Sequence, residues 1–149
     1  MVEVCIPVIV TSSKEGWVDS CLQNLMPDTL KTIKKFNIRV ESARQQYSED
    51  HPLEEHRWKE YCFTRIVNDL KLCKKTLLNL MVVGDSDYEM MAGKKVQSDL
   101  GVDRCRLRLV KFKRGDFGQM AHQQKILAQR FMHLLLDAEA IDIDFNTFL

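Results

Sequence analysis

A chain of 149 residues with a formal charge of +1, 45% hydrophobic and 29% charged, has the length and composition of one globular domain with a genuine core. Those proportions point to a globular rather than a disordered protein. Near-neutrality excludes the simplest route to nucleic acid, because no basic excess exists to neutralise phosphates.

Val4–Val10 (VCIPVIV) is apolar, rich in β-branched residues and stops at Thr11-Ser12-Ser13, as a buried strand does. Its Pro7 removes a donor that a central strand would use. Trp17–Leu25 is a short helix, and Pro27 opens a second one through Phe36, since its fixed φ suits a first turn. Asn37–Val40 is a second short strand, and the polar, aperiodic stretch Glu41–His51 is a loop. From Pro52 to Cys73 the residues Trp58, Cys62, Ile66 and Leu70 recur every four positions, with Tyr61 and Cys73 beside them; this is a long amphipathic helix. Leu78–Val83 is the third strand, and the helix Ser86–Val96 follows with Tyr88, Met91, Ala92 and Lys95 on one side. Arg106–Phe112 alternates and reads as an exposed edge strand. Gln119–Leu136 is amphipathic through Met120, Leu127, Phe131, Leu134 and Leu135. Strands alternating with helices imply βαβ units. The expected fold is α/β: a three-layer, Rossmann-like single domain over residues 1–149 with a mostly parallel sheet, its core at about 4–136 and a tail at 137–149.

The five cysteines (Cys5, Cys21, Cys62, Cys73, Cys105) contain no Cys-x-x-Cys pair and read as free thiols in a reducing compartment. The N-terminal apolar stretch Val2–Val10 is too short for a membrane span and lacks a basic start, so a cytoplasmic protein without a membrane partner is expected. Lys111-Phe112-Lys113-Arg114, the longest basic concentration, is followed at once by Gly115-Asp116 and reads as a solvated patch. Trp17 and Trp58 read as packing residues, and His51, His56, His122 and His133 share no ligand spacing.

Three places carry chemistry. Thr11 ends the first strand, Lys59 stands on the first turns of the long helix, and Gly84-Asp85-Ser86-Asp87 ends the third strand with Glu89 a turn later. The carboxyl ends of parallel strands share one rim, so these groups are expected to converge there. A strand-end hydroxyl and the N–H groups after it suit a phosphate oxygen, a lysine compensates charge and an acid binds magnesium through hard oxygen. Each residue also has a plain structural reading: Asp85 and Thr11 as helix caps, Lys59 as a solvated helix lysine. Gly84-Asp85-Ser86 would also suit a serine esterase with Ser86 as nucleophile, but that class needs Asp-x-x-His, and Gln119 and Arg130 stand at that spacing before His122 and His133.

These residues resemble the haloacid dehalogenase-like superfamily, mostly phosphatases. Val8-Ile9-Val10-Thr11-Ser12 is similar to its second motif, Trp58-Lys59 to its third, and Gly84-Asp85 with Glu89 to its fourth. Gly16-Trp17-Val18, Met26-Pro27 and Glu41-Ser42-Ala43-Arg44 resemble a branch of the superfamily common in protists. The resemblance implies a Mg²⁺-dependent phosphate monoester hydrolase. By it Thr11 and Ser12 would hold the phosphoryl oxygens, Lys59 would neutralise charge, and Asp85 would reach Mg²⁺ with Glu89 or Asp87 in support. The implied partner is a phosphorylated small molecule or protein, and homo-oligomerisation is a further expectation.

The chain departs from the family at one point. The family's first motif, Asp-x-Asp on a central strand, supplies the nucleophile, and no aspartate precedes Thr11. Without it no aspartyl-phosphate forms. Asp142-Ile143-Asp144 has the paired acids, but no apolar run precedes it, so it reads as a frayed, capped tail. Two functions follow: an incomplete or inactive phosphatase-type enzyme, or a non-catalytic domain that binds a phosphate-bearing ligand or a protein. With the first central strand missing, the Thr11 strand and the Asp85 strand are expected to pair directly or through a partner chain, at lowered stability.

Overall fold

The computed structural model describes residues 5–70, 77–136 and 142–147. Among them the protein is mixed α/β, with six α-helices, one 3-10 turn and five strands in two small parallel sheets. The strands are β1 (Val8–Thr11), β2 (Arg39–Ser42), β3 (Leu78–Gly84), β4 (Cys105–Lys111) and β5 (Ile143–Asp144). The helices are α1 (Trp17–Leu25), α2 (Pro27–Lys35), α3 (Ala43–Tyr47), α4 (Trp58–Asp69), α5 (Asp87–Leu100) and α6 (Phe117–Leu136). The chain divides into two compact units, Met1–Cys62 and Phe63–Leu149, the boundary falling within α4.

In the first unit β1 pairs with β2 in parallel, with Val10 opposite Glu41 and Thr11 opposite Ser42. Pro7 lies just before β1, where a missing donor costs nothing. The core of this unit is Leu22, Leu30 and Ile33, with Ile9, Val18, Ile38 and Val40 packed on it. Pro27 is the first residue of α2, as its fixed φ requires. The stretch expected as a loop is instead the end of β2 followed by α3. Ser42 is the reason: its Oγ accepts the Gln45 N–H at 3.0 Å, so it caps a helix that lacks an apolar period. The long helix is shorter than expected at its start, because Glu55–Arg57 form a 3-10 turn and α4 begins at Trp58. Of its expected stripe Trp58, Cys62 and Ile66 are buried, whereas Leu70 follows the end of the helix and is half-buried. Cys73 and Val4 lie outside the described residues.

The second unit contains a sheet ordered β3-β4-β5. On one face Val82, Met90, Leu107 and Leu109 form a cluster joined by Phe63 and Leu80, and Val67, Val96 and Cys105 extend it. On the other, Val110, Phe112 and Phe145 pack with Met120, Ile126 and Leu127 of α6. This sheet is therefore covered by helices on both faces. β4 corrects the expectation of an exposed edge: it pairs with β3 from Leu78↔Cys105 to Gly84↔Lys111 and with β5 at Val110↔Ile143, and Arg108 is only 1% exposed. Its alternation of charge and apolarity reads as an edge, yet both faces are buried. Helix α5 is likewise rotated from its expected face. Met90, Ala92, Gly93 and Val96 are buried, whereas Tyr88 and Met91 are exposed.

Residues 142–147 are not part of a frayed tail. Ile143 and Asp144 make β5, Phe145 donates its N–H to the Lys111 carbonyl at 2.9 Å, and its ring lies 5.5 Å from that of Phe112. A single buried aromatic does what a longer apolar run would otherwise do. The expected direct pairing of the Thr11 strand with the Asp85 strand is also corrected: among the described residues β1 pairs with β2 and β3 with β4, in separate sheets.

Candidate functional site

Thr11, Ser12 and Lys59 belong to the first unit, and Asp85, Asp87 and Glu89 to the second. Among the described residues, Thr11 ends a strand of the two-stranded sheet and Asp85 follows a strand of the three-stranded one, so the single sheet whose rim was expected to gather these groups is not formed among them.

In the first unit, the carboxyl ends of β1 and β2 open into a cleft of about 330 Å³. Thr11 and Ser42 line it together with Lys14, Glu15, Gly16, Val18 and Asp19 from the segment after β1 and Gln45 and Gln46 of α3. The turn that leaves β1 is locked on both sides. Ser13 donates its N–H to Thr11 Oγ1 at 3.1 Å, and Ser42 Oγ donates to the Ser13 carbonyl at 2.6 Å. Thr11 Oγ1 thus serves as an acceptor within the fold and keeps its own proton to donate. Gly16 reaches φ 76°, a left-handed conformation that glycine adopts freely, and begins α1 without a side-chain cap. Glu41 enters the cleft from the end of β2, its carboxylate accepting from Arg39 Nε and Gln46 Nε2. Neither Ser12 nor Lys59 lines this cleft, and Lys14 is the lysine that does. Sequence reasoning missed Lys14 and Glu41. The signal was the polar run after the first strand, together with the strand-like continuation to Ser42.

In the second unit, Gly84 ends β3 and the acids follow at the start of α5. Ser86 is the N-cap, and Glu89 Oε2 accepts both its backbone N–H, at 3.0 Å, and its hydroxyl. This is a capping box, and Glu89 is buried in making it. Gly84 leaves the space: a Cβ there would meet Glu89 Cγ at 2.6 Å. Asp85 Oδ2 accepts from Arg114 Nε at 3.0 Å, and Asp87 Oδ1 from Lys111 Nζ at 2.6 Å. The Asp87 hydrogen bond, with Asp144 nearby, holds the Lys111 ammonium above its ordinary range. Asp144 is held below the usual carboxylate range, first by the Asn146 N–H and side-chain amide. Asp142 Oδ1 accepts the Leu109 N–H at 2.9 Å, so neither acid of this pair is a frayed-tail residue. The basic patch and the strand-end acids therefore neutralise one another.

Among the described residues no three His, Cys, Asp or Glu side chains gather as a metal centre requires. Asp85, exposed and paired with Arg114, is the carboxylate that would hold a magnesium ion here, through hard oxygen. Glu89 is committed to the cap. Trp17, expected to pack, is 52% exposed, whereas Trp58 is buried and donates its indole N–H to the His51 carbonyl at 2.9 Å. Among the described residues no helix is long and apolar enough to cross a membrane. Neither protein families nor curated proteins nor solved structures provide a match to this chain.

Proposed function

We propose that this chain is a haloacid dehalogenase-like, Rossmann-like domain that binds a phosphorylated small molecule in the cleft at the ends of β1 and β2, without hydrolysing it. The observation that carries this reading is the locked turn after β1. Thr11 accepts from the Ser13 N–H and retains a hydroxyl proton for an incoming oxygen, in a cleft that also holds Lys14. Strand carboxyl ends, a hydroxyl donor, an uncapped helix start and an ammonium are the parts from which phosphate sites are built. A volume of about 330 Å³ suits a small molecule rather than a protein segment.

Hydrolysis by the family's route requires a carboxylate nucleophile at a strand end facing the phosphorus. Thr11 and Ser42, which end β1 and β2, offer hydroxyls instead. In this reading Asp85 is the residue that would hold Mg²⁺, and Lys59 retains its motif position without a place in the cleft. The protein is cytoplasmic.

The test pairs binding with turnover. Inorganic phosphate should raise the unfolding temperature of the wild-type chain, and Thr11→Val should abolish that rise. Hydrolysis of p-nitrophenyl phosphate with Mg²⁺ should stay at background. Absence of any phosphate effect would sink the binding reading, and Mg²⁺-dependent turnover lost in Asp85→Asn would replace it with the phosphatase.

A further inference from the structure

The cleft at the ends of β1 and β2 is lined by one cation, Lys14, and three carboxylates, Glu15, Asp19 and Glu41. Arg39 pairs with Glu41 from outside that lining, so even with its charge included the acids outnumber the bases. A phosphate dianion entering alone would add negative charge to a region already negative, and like charges at close quarters oppose binding. Lys14 and the Thr11 hydroxyl favour the phosphate, whereas Glu15 and Asp19 oppose it unless the ligand offsets them. Asp19 stands in the first turn of α1, where it uses part of the helix's attraction for anions.

We infer that the ligand is a phosphomonoester bearing an ammonium group, an aminoalkyl phosphate, in preference to a purely anionic phosphate. This rests on the phosphate reading above. The phosphate lies at Thr11 and Lys14, and the ammonium a few bonds away meets Glu15, just before α1, and Asp19 in its first turn. Val18 and Val40, also in the lining, give the short alkyl spacer an apolar surface. Glu41 belongs to the frame rather than to recognition. Its side chain is 12% exposed and held by Arg39 and Gln46, so it fixes α3 against the end of β2.

Isothermal titration with 2-aminoethyl phosphate, ethyl phosphate, inorganic phosphate and ethanolamine separates the cases. Aminoethyl phosphate should bind about tenfold more tightly than ethyl phosphate, which has the same skeleton without the amine. In the Glu15→Gln/Asp19→Asn variant the preference should collapse from both sides, the aminoalkyl ligand weakening and ethyl phosphate tightening as repulsion is relieved. Both positions are exposed, and an unchanged thermal unfolding curve without ligand verifies the fold. Equal affinity of the two organophosphates in the wild type overturns the ammonium inference and leaves the phosphate reading standing. Ethanolamine binding as tightly as aminoethyl phosphate overturns it in favour of a plain cation site. Failure of every phosphate compound to bind removes the phosphate reading itself.

Discussion

Glu89 shows how one carboxylate admits two roles that only its neighbours distinguish. As a magnesium-supporting acid it would need its charge, whereas as the N3 residue of a capping box it needs only an acceptor oxygen in reach of the Ser86 N–H. Glu89→Gln should therefore keep stability within about 0.5 kcal/mol of wild type. Glu89→Ala, which orphans the Ser86 donor, should lose about 1 kcal/mol in urea unfolding. Equal losses in the two variants would show that the charge itself matters. Glu54 is the second informative residue. The Tyr61 hydroxyl, ahead of the nearby Arg57 and His51, holds its carboxyl below the ordinary 4.5. A depressed carboxylate stabilises the fold above its unfolded value, and the contribution disappears as pH falls through and below 4.5. Tyr61→Phe should therefore destabilise the protein near neutral pH and cost progressively less as the pH is lowered from about 5 towards 3, followed by urea midpoints.

At the scale of the element, α5 and β5 are the two places where residue type alone misleads. Helix α5 approaches its sheet through Gly93, where a Cβ would meet Val82 Cγ2 at 2.9 Å and Leu107 Cδ1 at 3.2 Å. Alanine normally favours a helix over glycine by about 1 kcal/mol. Here Gly93→Ala should instead destabilise by about 1–3 kcal/mol, because the added methyl has no room. Strand β5 depends on Phe145, which is 4% exposed. Phe145→Ala should cost about 3 kcal/mol, whereas truncating a frayed tail residue would cost almost nothing. Thermal unfolding of this single variant decides between the two. Both elements escape a reading by pattern for the same reason. Periodicity reports which residues alternate, not how closely a neighbouring element approaches or what reaches over to pair with an edge.

For the molecule as a whole, the two sheets differ in how well they are protected. The β1–β2 ladder is two strands of four residues, a size that is marginal in water without further packing. β4 is paired on both sides and buried on both faces. Backbone amides of β4 should therefore exchange with deuterium at least about tenfold more slowly than those of β1 and β2, and equal protection would show that the two sheets open together. The sequence by itself determined the α/β character, α1 and α2 with their Pro27 start, the α4 stripe and the position of β3. In each, a strong local pattern agrees with the packing that it meets. It also marked Thr11 and the Gly84–Asp87 corner as strand ends. Only the tertiary structure decided that Thr11 shares a cleft with Lys14 rather than Lys59, that Glu89 accepts from Ser86, and that Asp85 and Asp87 face Arg114 and Lys111. Those outcomes depend on strand pairing and on partners 24 and 29 residues distant along the chain, and no local spacing encodes such distances.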